Sequence, residues 1–220
     1  MATIQDAIKA YHLHRATGML IELNNLFKEH GHAQTINQTL AKHLFEGGHQ
    51  EQLPYRPSIH YSKTFIAMSK ALCASSLMID SYKIFEELYN VVYSLLKPIS
   101  GIAELTIYDV AHRIGFIRKE QILPKDKVYL FRGARLGADC LRKVVPELFG
   151  TIPDELLDKH GDLREGIYDI SLFDSTLQEM GSLFLEDFFC VYHRELKRLP
   201  ALPYNAFQKA PFYYDRCIHI

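Results

Sequence analysis

The chain contains no tryptophan, no Cys-x-x-Cys pair and no apolar run near the roughly 18 residues that a bilayer span requires. The last absence excludes a membrane-spanning helix as the organising feature. Cys73, Cys140, Cys190 and Cys217 lie far apart in apolar or helical contexts. Such spacing reads as reduced core thiols rather than a disulfide frame. The first residues carry Asp6, Lys9, Arg15 and Glu22 among apolar positions, so no secretory leader is read there. A cytoplasmic protein is expected from these absences. A dominant charge is also lacking: formal net charge is -1, which excludes a uniformly basic nucleic-acid binder.

What is present is core material. With 220 residues, 48% of them apolar, the chain can bury a large interior, and 13 Phe with 13 Tyr supply aromatic packing. Helical periodicity dominates. It predicts helices over about 3–29, 33–45, 62–77, 80–96, 104–114, 127–145, 154–160 and 174–198. Thr3 and Asp6 form a capping-box pattern with Asp in place of Glu. Gly115 is expected to end the fifth of these helices. Alternating strand patterns are confined to Lys127–Phe131 and Phe212–Tyr214. The expected fold is all-α, a multi-helix orthogonal bundle forming one domain, with possible subdivision near 97–101 or 146–153.

Residues 97–115 read K-P-I-S-G-I-A-E-L-T-I-Y-D-V-A-H-R-I-G. Pro98 stops one helix, Gly101 allows a tight turn, and a second helix begins near Glu104. Ile99, Ser100, Gly101 and Ile102 resemble the helix-hairpin-helix motif of nucleic-acid-binding proteins. Ala103 stands where that motif has a second glycine. Either Ala103 needs a positive φ, which strains it, or it is simply the first residue of the second helix. The resemblance implies that N–H groups around Gly101 and Ala103 hold one backbone phosphate.

Charge is unevenly placed. From Arg113 to Lys143 there are nine bases and three acids, and from Glu147 to Asp187 there are eleven acids and two bases. The basic block is either a face for a polyanion or the partner of the acidic block. On the first reading Arg113, Arg132 and Arg135 join Gly101 and Ala103 as phosphate-binding residues. The partner is then DNA or RNA. A scaffold role, with a protein partner or self-association, is the alternative.

A second resemblance is to helix-hairpin-helix DNA glycosylases, where an acidic residue follows the motif by about two dozen positions and opens a helix. Asp126 lies 25 residues after Gly101. The resemblance implies a catalytic carboxylate there, stabilising developing cationic charge or activating water. Leu105 occupies the position of the lysine found in bifunctional members, so Schiff-base chemistry is not expected. The segment Gly133–Ala138 is glycine-rich but lacks a P-loop ending, and reads as a close-packing helix face. Cys190 and His193 share a helix face at i, i+3, but spacing identifies no further ligands. No metal and no cofactor are assigned.

Overall fold

The computed structural model describes residues 3–14, 67–75 apart from 69 and 73, 81–116 and 122–202. The predicted segments over 15–66 and the aromatic tail beyond 202 lie outside these residues. The chain divides into two compact units, one of residues 1–18 and 124–220, the other of residues 19–123. The second unit is thus an insertion in the first, and the junctions fall at 18/19 and 123/124.

The first unit starts with α1 (Ile4–His14). Its start is the reciprocal arrangement that the sequence predicts. The Thr3 N–H donates to Asp6 Oδ2 at 2.9 Å, and the Asp6 N–H donates to Thr3 Oγ1 at 3.2 Å. Ile4 and Ala7 belong to the same apolar core as Val128, Leu141, Phe188 and Tyr192. Residues separated by more than a hundred positions therefore share one interior.

After the insertion come β1 (Lys127–Leu130) and α4 (Arg132–Val144), numbering the inserted helices α2 and α3. A helix is expected from Lys127, but the first four residues form a strand instead. They pair antiparallel with β2 (Gly166–Asp169), in the register Lys127 to Asp169 through Leu130 to Gly166. Val128, Tyr129 and Leu130 are all buried. The short strand candidate Lys127–Phe131 is therefore the reading that holds over these residues, and the helix expected from Lys127 begins only at Arg132. The fold is mostly helical with a small two-stranded sheet, not all-α.

Between the strands, Asp154–Leu156 is a single 3-10 turn rather than a helix reaching His160. Leu157 instead bridges Leu163, closing a turn whose Gly161 has φ +77°. The long helix expected over 174–198 is two: α5 (Ser175–Gln178) and α6 (Ser182–Leu196). Gly181, at φ +77°, separates them in a conformation that only glycine adopts without strain.

α4 and α6 pack at very close range. A Cβ on Gly137 would overlap the Phe189 carbonyl oxygen, and one on Gly133 would meet Cys190 Sγ at 3.0 Å. The small residues of Gly133–Ala138 are a helix-packing face, as their spacing predicts. Phe149, Phe173 and Phe189 cluster beside it, with ring centroids 5.5–6.4 Å apart.

In the inserted unit, α2 (Phe85–Leu96) packs against α3 (Glu104–Phe116). α2 begins five residues later than its periodicity predicts. Ile84 is extended and exposed, and Glu86 and Glu87 fill the first turn, where acids complement the helix dipole. Leu88, Val92, Leu96, Ile107, Tyr108 and Ala111 are buried, and Phe85 meets Tyr108 edge-on at 6.1 Å. Gly115 does not end α3. The helix continues to Phe116, and a Cβ on Gly115 would overlap the Ile122 carbonyl oxygen. This glycine admits a crossing strand of backbone rather than a stop.

Candidate nucleic-acid interface

The turn joining α2 to α3 is built by short-range hydrogen bonds. The Lys97 N–H donates to Tyr93 O at 2.8 Å, the Ile99 N–H to Leu96 O at 2.9 Å, and the Ile102 N–H to Ile99 O at 3.3 Å. Gly101 has φ +90° and is exposed. Ala103 is not among the residues with positive φ, and its carbonyl accepts the Ile107 N–H at 3.1 Å. Neither alternative for Ala103 holds as stated: it has no positive φ, and it directly precedes the first residue of α3 instead of being that residue. The replacement of glycine by alanine carries no backbone strain.

Glu104, the first residue of α3, is ion-paired to Lys97 Nζ at 2.7 Å and accepts from the Tyr93 hydroxyl at 3.4 Å. The Lys97 ammonium also lies over the Tyr93 ring, 5.2 Å from its centroid. The hydrogen bond that Lys97 donates to Glu104 raises the ammonium's pKa above its ordinary 10.5. Burial, followed by the Glu104 charge, pushes the Tyr89 phenol well above its ordinary 10.0. The acid at the helix start is therefore matched by its own cation. Further along α3, Tyr108 and His112 are buried and stacked, with centroids 6.0 Å apart.

Gly101, Ala103 and Arg113 belong to the inserted unit, whereas Arg132, Arg135 and Asp126 belong to the other. In that other unit the basic block is largely engaged. Arg135 Nη1 donates to Leu163 O at 3.0 Å. Arg142 pairs with Asp139 at 3.3 Å and donates to Gly161 O. Lys143 pairs with Asp139 at 2.7 Å and Asp162 at 2.6 Å, and Lys127 pairs with Asp169 at 2.9 Å. Two of these links, Lys127–Asp169 and Lys143–Asp162, join the basic block to the acidic block directly. Arg132 is exposed and has φ +39°, and its N–H donates to Glu165 Oε1 at 3.1 Å.

Asp126 is exposed, and its carbonyl accepts the Ile170 N–H at 2.9 Å, extending the ladder of β1 and β2. It precedes a strand, not a helix, so it lacks the setting that the glycosylase resemblance implies.

Residues that the sequence does not single out carry much of this geometry. Asp139 is 5% exposed and its carboxylate also accepts the Leu163 N–H at 3.0 Å. Burial raises its pKa, but hydrogen bonds from Lys143, Leu163 and Arg142 outweigh this and hold it below 3.8. Its i+3 and i+4 partners on α4 were legible in the spacing, whereas its contact with residue 163 was not. His193 Nδ1 lies 2.8 Å from Cys190 O, so this ring nitrogen is turned to the backbone of its own helix. Neither Cys140 nor Cys190 is in a disulfide. Among the described residues, no group of three or more His, Cys, Asp or Glu side chains is placed to hold a metal ion. No described helix is long and apolar enough to cross a membrane.

Compared with protein-family models, with curated proteins and with solved structures, the chain matches none.

Proposed function

We propose that this chain binds nucleic acid by contacting its phosphate backbone with the turn between α2 and α3, a helix-hairpin-helix-like element. One observation carries the reading: Gly101 at φ +90° turns the chain so that α3 starts immediately after Ala103. The first N–H groups of a helix have no partner within it, and the dipole adds about half a positive charge there. One phosphate fits that environment. Lys97 neutralises Glu104, the acid that would otherwise repel it. Such a contact positions a strand without reading its bases.

Arg113 lies on the same helix. In the other unit Arg132 is an exposed cation and Arg135 already donates to Leu163 O, and neither is counted in the site at this turn. The test is binding of fluorescently labelled single- and double-stranded DNA and RNA to the purified chain at low salt. Saturable binding that weakens steeply with salt supports the proposal. Absence of binding to all four overturns it, and self-association under the same conditions would then favour a scaffold role.

A further inference from the structure

Residues 161–165 run along one edge of α4 and place an oxygen at almost every basic position there. Glu165 Oε1 accepts the Arg132 N–H, Leu163 O accepts from Arg135, Gly161 O accepts from Arg142, and Asp162 pairs with Lys143. The order is antiparallel to the helix: residue 165 sits at its start and residues 161 and 162 at its end. One side chain of this segment, Leu163, enters the apolar core, while Gly161, Arg164 and Glu165 are exposed. Three cations on one helix edge, each met by a carboxylate or carbonyl oxygen, with the Arg132 backbone N–H met by a fourth, form a pattern that a phosphate backbone also satisfies.

We infer that residues 161–165 are an autoinhibitory strap, an internal polyanion mimic that occupies the cationic edge of α4 and competes with nucleic acid for it. The inference rests on the nucleic-acid reading but concerns a different surface from the α2–α3 turn. On the side of α4 the strap is held by polar contacts that another anion can replace, and at its middle by Leu163, whose side chain is in the core and whose N–H is held by Asp139. Its turn is shaped independently by Asp158, whose carboxylate accepts the N–H groups of His160 and Asp162. Lifting the strap draws Leu163 from the core and its N–H from Asp139, while the turn keeps its own shape. Displacement would free Arg135 to join the exposed Arg132 and would take one partner each from Arg142 and Lys143, which stay paired with Asp139.

The test is DNA binding by the full chain carrying Asp162→Asn and Glu165→Gln together. Both residues sit at the protein surface or partly so, and the variant should fold. Losing two weak surface contacts should tighten binding by about tenfold. The pair Asp154→Asn and Glu155→Gln removes the same charge from an exposed site that faces no cation of α4, and should change affinity little. Bound DNA should also speed hydrogen exchange at the Leu163 amide, which Asp139 otherwise holds. If the strap variant binds no tighter than its charge-matched control, or the Leu163 amide stays protected in the complex, the strap is structural only. That result leaves the turn as a binding site intact. If neither the parent nor the strap variant binds, both readings fall.

Discussion

The buried carboxylate of Asp139 accepts the backbone N–H of Leu163 at 3.0 Å while pairing with Lys143 from its own helix at 2.7 Å. A single side chain thereby ties α4 to a segment 24 residues away. Removing it leaves a buried N–H and a guanidinium short of partners. Asp139→Ala should lower unfolding free energy by about 3 kcal/mol in urea titration. Asp139→Asn, which keeps an acceptor oxygen, should cost less. Equal stability of Asp139→Ala and the parent would show that the contact holds nothing.

The α4–α6 contact sets a second expectation. Alanine normally gains about 1 kcal/mol over glycine inside a helix. At Gly137 the new Cβ would overlap the Phe189 backbone, which has no rotamer to move. Gly137→Ala should therefore destabilise by about 2 kcal/mol despite its better propensity. At Gly133 the neighbour is a cysteine sulfur at 3.0 Å, which can shift by a few tenths of an ångström. Gly133→Ala should be close to neutral, and thermal melts of the two variants compare them directly.

Stability should also respond to acid through Asp169. Hydrogen bonds from Ser171, then from Lys127, hold its pKa at about 2, against an ordinary value of 3.8. A depressed folded-state pKa stabilises the protein above the unfolded value and stops doing so as pH falls through the folded one. The contribution is thus complete above 3.8 and fades between there and about 2. The pair is well exposed, so its size should stay below about 1 kcal/mol. The stability difference between the parent and Asp169→Asn should be flat near neutrality and shrink across that window. A difference that grows on acidification would contradict the assignment.

The capping box at Thr3 and Asp6 was legible because both partners lie within one turn. So was the small face of α4, where glycine and alanine recur at helical spacing. The strand at Lys127–Leu130 was legible only in part: Lys127–Phe131 read both as a strand candidate and as the start of a helix, and its partner, 36 or more residues on, left no local mark. Gly115 and Gly181 show the same limit from the other side. Gly115 reads as a helix stop yet lies within a helix against passing backbone, whereas Gly181 lies in a stretch read as one continuous helix and divides it. At the candidate site, the turn at Gly101 was visible in the residues themselves. The Lys97–Glu104 pair and the strap on α4 depend on contacts across folded chain, which no local pattern encodes.

The central claim is most directly tested by a salt titration of DNA binding, comparing the parent with Gly101→Val and Gly161→Ala. Both substituted glycines have positive φ, so both variants carry backbone strain, but only Gly101 lies in the proposed phosphate turn. Parent binding should fall linearly in log affinity against log salt, with a slope of about 0.9 per phosphate contact on a duplex. Gly101→Val should lose about tenfold in affinity and show a shallower slope, while Gly161→Ala binds DNA no more weakly than the parent. Equal affinity and slope for the parent and a folded Gly101→Val would contradict the claim.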